Sequence, residues 1–501
     1  MNPAPEIRKP DGSVVTGRPP EADENLADWL EDLGILLNTR CGKRGLCQGC
    51  RVKTDNGESI AACQNKASAY AGQTLHLPPS SLRDATLTGV TAFELDDAVH
   101  GPFALPDGPG LALDIGTTTL AGALWTGEPP RCAALTTRAN PQIRFGDNVV
   151  SRVQAAMDHG VEDLQKALCN DGLKPLIHTL LEQGGLEASD IQSVTVAGNP
   201  VMLHTLAGDP LAGFAAYPFH PAFLKERVLP GEEVGLTCRM RLLPAPGPFV
   251  GSDVLGGALA NGFFDRDGIR LLIDFGTNGE ILLRDGQGRT WCTATAAGPA
   301  FEGGRLRCGA AAGPGVIGRL AREETDTWEL PESGMPWRAL AGAAYVDFMA
   351  LGRQQGWLDA MGRFTSTGQE KGKITADVEV TETDLAELVL AKAAIQAGWT
   401  TLLECAGVAA EDLDAVVIAG GFGYHLNPEH ARIIGLLPDI DSTKIQLVGN
   451  ASLAGASLAL LQPNGSRSWR EHCEDMEVVE LNQTDSFEDH YLDAMTVETA
   501  E

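Results

Sequence analysis

Leu271-Leu-Ile-Asp-Phe-Gly-Thr-Asn-Gly-Glu-Ile-Leu-Leu283 runs from three apolar residues into Asp274. A turn of Gly276, Thr277, Asn278 and Gly279 follows, and apolar residues resume at Ile281. Apolar runs on both sides of a polar, glycine-bearing turn predict a β-hairpin. A similar copy lies upstream, Leu111-Ala-Leu-Asp-Ile-Gly-Thr-Thr-Thr-Leu-Ala-Gly-Ala123, with Asp114, Gly116, Thr117, Thr118 and Thr119 in the matching places. Two strand–Asp–x–Gly–Thr–turn–strand units predict a duplicated fold with a cleft between its halves.

Such a turn suits an anion. Gly116 and Gly276 lack a Cβ and let a phosphate approach the backbone. Consecutive turn N–H groups form an anion-binding concavity, and the threonine hydroxyls add donors. Asp114 and Asp274, at the strand ends, are placed to hold Mg2+ through water or to orient an attacking water. The plainer alternative is a pair of Gly-Thr hairpins with solvated aspartates.

The paired motif resembles the phosphate-binding hairpins of the acetate kinase, sugar kinase, Hsp70 and actin superfamily. A third stretch adds to the likeness: Val416-Val-Ile-Ala-Gly-Gly-Phe-Gly-Tyr424 runs a buried-strand pattern into Gly420, Gly421 and Gly423, then into Pro428-Glu-His-Ala-Arg-Ile-Ile434. It is similar to the superfamily's adenosine motif, where small residues let the nucleoside lie against the backbone. The resemblance implies an ATP cleft contacted by both hairpin turns, by these glycines, and by the turn at Gly198 and Asn199.

The chain has 501 residues, enough for two to four domains. A formal net charge of −29 disfavours nucleic acid and anionic membrane as main partners. No apolar stretch reaches a transmembrane length, and Met1-Asn-Pro-Ala-Pro-Glu-Ile-Arg8 lacks a signal-peptide pattern, so a cytoplasmic location is expected. An odd count of 11 cysteines argues against a disulfide scaffold. Four of them cluster, at Cys41, Cys47, Cys50 and Cys63.

These four belong to a first unit, residues 1–82. Glu6 to Val15 reads as strand, Asp-Gly turn and strand, and Asn25 to Gly34 as a helix with a glycine stop. The spacing C-x5-C-x2-C, then a distant fourth cysteine, puts three thiols on one small-residue loop with the last arriving from a later segment. That suits a [2Fe–2S] cluster; a structural four-cysteine zinc site is the rival, though zinc sites more often pair two C-x2-C units. The order strand, strand, helix, Cys41-Gly-Lys-Arg-Gly-Leu-Cys47-Gln-Gly-Cys50-Arg-Val-Lys53 and Ala62-Cys63-Gln64 resembles the β-grasp [2Fe–2S] ferredoxin domain. The interval from Cys50 to Cys63 is much shorter than in most ferredoxins, which departs from that pattern.

Residues 83–109 end in a Pro/Gly-rich stretch and read as a linker. The halves of the duplicated α/β fold are expected at 110–265 and 266–470. Asn140 to Arg152 reads as a polar loop entering a helix, and Ile191 to Gly198 as a second strand followed by a helix on which His204 is a satisfied residue rather than a ligand. The Gly/Ala-rich stretches 296–304 and 308–315 suit either a mobile lid or a surface approached by a flat ligand or partner. Asp384 to Gly398 reads as an amphipathic helix with Lys392 solvated. Residues 471–501 are acidic, with no Lys or Arg: one short strand is expected at 476–481 and the rest solvated.

Taken together, the cysteine loop, Asp114-Ile-Gly-Thr-Thr-Thr, Asn140-Pro-Gln with Gly146-Asp147, Ala197-Gly-Asn, Asp274-Phe-Gly-Thr-Asn-Gly-Glu, Ala297-Gly-Pro-Ala-Phe-Glu-Gly-Gly and Ala419-Gly-Gly-Phe-Gly resemble the reductive activators of corrinoid proteins. These use ATP to return Co(II) corrinoid to Co(I). The resemblance implies a [2Fe–2S] cluster on Cys41, Cys47, Cys50 and Cys63, ATP and Mg2+ at the hairpins, an upstream electron donor, and a corrinoid protein of a methyltransferase system as partner, with a homodimer an open option. The chain has no Asp-x-His-x-x-Gly cobalamin signature, so the corrinoid is expected on the partner. Two other classes stay open: a small-molecule kinase with a metal-binding first domain, and an ATP-gated electron donor to a non-corrinoid enzyme.

Overall fold

The computed structural model describes residues 3–9, 13–35, 37, 43, 50–78, 81, 103–105, 107–322, 328–330, 335–462 and 466–499. In the first unit β1 (Glu6–Arg8), β2 (Val14–Thr16), β3 (Arg51–Thr54), β4 (Ser59–Ala61) and β5 (Thr74–His76) form one sheet in the order β2-β1-β5-β3-β4. Helix α1 (Leu26–Asp32) starts where the Asn25 side chain accepts from Ala27 N, satisfying a free first-turn N–H. It buries Leu26, Trp29 and Leu30 with Ile7, Val52 and Leu75 of the sheet. The Asp11-Gly12 turn, Cys41 and Cys47 lie outside the described residues.

The first expected hairpin is β6 (Gly110–Ile115) and β7 (Thr119–Thr126), antiparallel, with β8 (Arg131–Ala139) beyond it. Strand β9 (Ser193–Gly198) lies parallel to β6 on its other side, and β10 (Arg227–Pro230) and β11 (Arg239–Leu242) complete the sheet β10-β11-β9-β6-β7-β8. The second hairpin is β12 (Arg270–Phe275) and β13 (Gly279–Arg284), followed by β14 (Thr290–Thr295). Two short ribbons follow, β15 (Val316–Ile317) with β18 (Ala339–Leu340) and β16 (Ala321–Arg322) with β17 (Trp328–Glu329). Strands β19 (Ala415–Ala419), β20 (Ile445–Leu447) and β21 (Glu477–Val478) give the sheet β20-β19-β12-β13-β14-β21. The run β11-β9-β6-β7-β8 is repeated by β20-β19-β12-β13-β14. The duplication read from two hairpins therefore extends to five strands in each half.

The first half carries α2 (Val149–His159), α3 (Pro200–Ala207) and α4 (Ser252–Ala260). The second carries α5 (Gly342–Gln354), α6 (Glu382–Ala406), α7 (Pro428–Ile433), α8 (Ala451–Leu461) and α9 (Phe487–Asp493). Helices α4 and α8 lie between the two sheets. Val254, Ala258, Leu453 and Ala456 share one core with Ala112 and Ala123 of the first sheet and Leu272 and Val417 of the second. Small residues in Gly251 to Ala260 allow this. A Cβ on Gly455 would overlap the backbone of Gly256, so the two helices touch backbone to backbone.

At the described end of the linker Phe103 and Leu105 pack on the inter-sheet core, and Ala104 N donates to Leu461 O at 3.1 Å. Two expectations are corrected. Helix α6 is longer than the periodicity indicated and buried on most sides, so Lys392 is fully enclosed rather than solvated. Its ammonium donates to Ala494 O (2.9 Å) and Thr496 O (2.6 Å), while Arg353 Nε donates to Val497 O (2.7 Å). The acidic end is accordingly folded in rather than solvated: β21 joins β14 in parallel, and Ala494 and Val497 have no exposed surface. Among the described residues no helix is long and apolar enough to cross a membrane.

Candidate functional site

The turns of the two hairpins meet side chain to side chain, Thr118 against Thr277. Gly116 N donates to Thr119 O at 3.0 Å, and Gly276 N to Asn278 O at 3.1 Å. At Gly116 a Cβ would come within 2.7 Å of Thr119 O, so the turn itself demands glycine there. At Gly276 the nearest atom would be 3.4 Å away, an ordinary contact. The first turn is held from behind by the stretch beginning at Asn140. Asn140 N donates to Thr118 O (2.8 Å), Asn140 Nδ2 to Gly116 O (2.9 Å), and the buried Arg152 donates to Thr117 O (2.6 Å) and Gly146 O (3.0 Å). That gives Asn140-Pro-Gln and α2 a positioning role; Arg152 had not stood out in the sequence.

A cavity of about 230 Å³ opens between the turns. Thr118 Oγ1 and Thr277 Oγ1, from opposite halves, lie 2.9 Å apart, and both donate to Glu302 Oε2, at 2.9 and 2.7 Å. Asp114 accepts from Ser452 Oγ (2.7 Å) and Asn450 Nδ2 (3.3 Å) at the start of α8. Asp253, at the start of α4, Asp274 and Glu280 complete a set of five carboxylates with Asp114 and Glu302, and among the described residues neither Lys nor Arg joins the lining. Burial pushes Asp114 up to about 7, opposed by Ser452, and Asp253 up to about 6. Burial takes Asp274 up to about 8, with Asp253, Asp114 and Glu302 adding to it. Burial also raises Glu280 and Glu302. Asn199, only 3% exposed, accepts from Val201 N through its oxygen, while its Nδ2 has no partner and faces this lining. A buried amide donor of that kind calls for an acceptor.

Of the residues singled out in the sequence, Asp114, Gly116, Thr117, Thr118, Thr119, Asn199, Asp274, Gly276, Thr277, Asn278, Gly420 and Gly421 come together here. Gly198, Gly279 and Gly423 are not among the lining residues; their small size serves packing. Side chains there would run into Ile115 O, Ile395 and Ile418 respectively. Phe275, Phe301 and Phe422 form an apolar wall, the last two rings stacked at 5.0 Å. Phe301 and Ala310 to Ala312 come from the two Gly/Ala-rich stretches, which are packed into the cavity wall. Asp253 and Glu302 were missed because they enter from separate segments with no shared spacing, and Glu280 because the matching place in the first hairpin holds Leu120. His204 is satisfied as expected, its Nδ1 2.7 Å from Pro200 O and its Nε2 accepting from Phe223 N at 3.2 Å.

In the first unit Cys50 and Cys63 are buried at one end of the β3–β4 pair, linked through Ala62 N donating to Cys50 O at 3.0 Å. Gln64 Nε2 donates to Cys63 Sγ at 3.6 Å. Among the described residues no three His, Cys, Asp or Glu side chains converge as a metal site.

Two halves of equal strand order meeting at paired Asp-x-Gly-Thr hairpins define a mixed α/β, actin-like and kinase-like fold. Residues 109–266 match the family described as the RACo middle region, and residues 268–501 that described as the C-terminal domain of RACo, the ASKHA domain. A corrinoid activation enzyme of Eubacterium limosum, RamQ, is 30% identical over 386 residues, covering 70% of this chain and 64% of its own length. A [Co(II) methylated amine-specific corrinoid protein] reductase of Methanosarcina barkeri is 26% identical over 389 residues, 70% of each chain. The solved structure of a reductive activator for corrinoid, iron-sulfur protein superposes with a TM-score of 0.72 at 25% identity, covering 99% of both chains. The chain belongs to the family of reductive activators of corrinoid proteins.

Proposed function

We propose that this chain uses ATP to drive one electron from a [2Fe–2S] cluster onto the Co(II) corrinoid of a partner protein in a methyltransferase system, returning it to Co(I). The observation that carries the reading is the approach of Thr118 and Thr277 across a cavity flanked by Asp114 and Asp274 in a member of this family. Reduction to Co(I) runs uphill from ordinary donors. A deficit of ~200 mV for one electron is over three decades in equilibrium, or roughly 5 kcal/mol. ATP supplies the free energy to offset it.

The chain's own groups fit a nucleotide. Turn N–H groups, the threonine hydroxyls and Asn199 Nδ2 are donors for phosphate. The wall of Phe275, Phe301 and Phe422 beside Gly420 and Gly421 suits a flat base. Five carboxylates, with no Lys or Arg lining the cavity among the described residues, repel a polyphosphate, so the phosphates need Mg2+ with them. Asp114 and Asp274, raised to about 7 and about 8, hold protons in part at neutral pH and release them as a cation approaches. Cys50 and Cys63, both buried and linked through the Ala62 N–H on Cys50 O, with the Gln64 amide donating to the Cys63 sulfur, fit two of the four thiolates of a cluster. The cluster supplies one-electron transfer.

The test is anaerobic. Reduced protein is mixed with candidate corrinoid proteins, and the cobalt spectrum is followed with and without ATP. Co(I) is expected only with ATP. Cys63→Ser is expected to lose iron and reduction but keep nucleotide binding, and Asp274→Ala to keep the visible spectrum but lose the ATP effect. Equal Co(I) formation without ATP would reduce the chain to a plain ferredoxin. Stoichiometric zinc in a colourless protein would overturn the cluster. ATP-dependent phosphorylation of a metabolite without cobalt reduction would favour a kinase.

A further inference from the structure

Glu302 stands where the two halves meet. Its Oε2 takes the hydroxyl protons of Thr118, from the first half, and Thr277, from the second. The two hydroxyls also lie 2.9 Å from one another, and each has one proton to give, so their donors are engaged within this three-oxygen cluster. A phosphate oxygen seeking the same two donors would need the place of Oε2, and its negative charge would repel Glu302 at close range. The two arrangements exclude one another.

The segment carrying Glu302 crosses between the halves a second time. Arg305 Nε donates to Asp147 Oδ2 at 3.4 Å, and Asp147 is a buried residue of the first half. Arg305 holds a left-handed backbone at φ 61°, which a non-glycine residue keeps only where its surroundings impose it. Gly303 is also left-handed at φ 77°, and a Cβ there would overlap Ala310. Residues 299–305 are thus a shaped clasp, fixed at Glu302 to both turns and at Arg305 to the stretch that supports the first turn.

We infer that Glu302 is the residue through which the cleft senses nucleotide, an inference that rests on the nucleotide reading of the cavity. Phosphate at Thr118 and Thr277 displaces the Glu302 carboxylate, and its departure loosens the 299–305 clasp across the two halves. Occupancy of the cleft is thereby converted into a change in how the halves are tied.

The experiment titrates wild type, Glu302→Gln and Glu302→Ala with ATP and Mg2+ by calorimetry. It also follows amide hydrogen exchange of residues 299–305 with and without saturating ATP. Both variants are expected to bind ATP about tenfold more tightly, because two charge-assisted hydrogen bonds no longer have to be broken on entry. A gain in affinity is a change that mere structural damage does not produce. In wild type the 299–305 amides are expected to exchange faster once ATP is bound, and in Glu302→Ala to be fast already without it. Affinity in both variants equal to or weaker than wild type overturns the inference. So does exchange in wild type that is unchanged or slower with ATP, a result that needs no variant. Wild type that binds no ATP overturns the nucleotide reading itself.

Discussion

Asp274 gives the cleft a pH dependence whose sign can be worked out. Its carboxyl is raised from 3.8 to about 8, chiefly by burial, so the folded chain binds its proton more tightly than the unfolded chain does. Its contribution favours the fold fully below the unfolded value and is lost as pH rises through about 8. The thermal midpoint of the nucleotide-free protein is therefore expected to fall between roughly pH 5 and pH 9, and Asp274→Asn to flatten part of that fall. A wild-type midpoint that is level or rising over this range would contradict the assignment. Asp114 and Asp274 were legible because each stands two places before a glycine in a repeated hairpin. Glu302 was not, since its meaning depends on two hydroxyls that reach it from Thr118 and Thr277. Lys392 misled for a related reason: helical spacing gave it a solvated face, while its acceptors come 102 and 104 residues later.

Glycines divide into two uses that sequence alone does not separate. Some shape a turn, as Gly116 does; others let one backbone lie on another, as Gly256 and Gly455 do where α4 crosses α8. The hairpins could be read because apolar runs flank a polar turn. The crossing could not, because nothing in Gly251 to Ala260 names the partner helix. Gly455→Ala forces a methyl into the Gly256 backbone and is expected to cost about 2 kcal/mol, within the range for overpacking a core. Urea unfolding measures it, and wild-type stability in that variant would mean the two helices separate without penalty. Helix α6 shows the same ambiguity. It passes through Gly398, which makes room for Ile281, and ends only at Gly407, whose left-handed φ of 66° closes the last turn.

For the molecule as a whole, the duplicated fold was visible in two hairpins, yet the strand order was not. It depends on which crossover strand lies beside β6 and which beside β12, and apolar periodicity carries no information about neighbours. The C-terminal residues were misjudged on composition. Most of their acidic side chains face outward, while Leu481, Ala494 and Val497 supply buried contacts. A formal net charge of −29 over the chain agrees with a cleft lined, among the described residues, by carboxylates and neither Lys nor Arg, so both the surface and the cavity favour cations.

The position of α8 also bears on how the chain acquires its shape during synthesis. Thr195 in the first sheet donates to Ala456 O at 2.6 Å across 261 residues of sequence, and Trp125 Nε1 to Ser457 Oγ at 3.0 Å across 332. As a nascent chain emerges, the inner face of β6, β7 and β9 has α4 to cover it but must wait for α8. Contacts so distant in sequence form late, and apolar surface stays open to misassociation until they do. Residues 107–266 produced alone are therefore expected to bind an apolar dye and to melt without a cooperative transition. A sharp two-state melt of that piece would show that the first half closes without help from the far end of the chain.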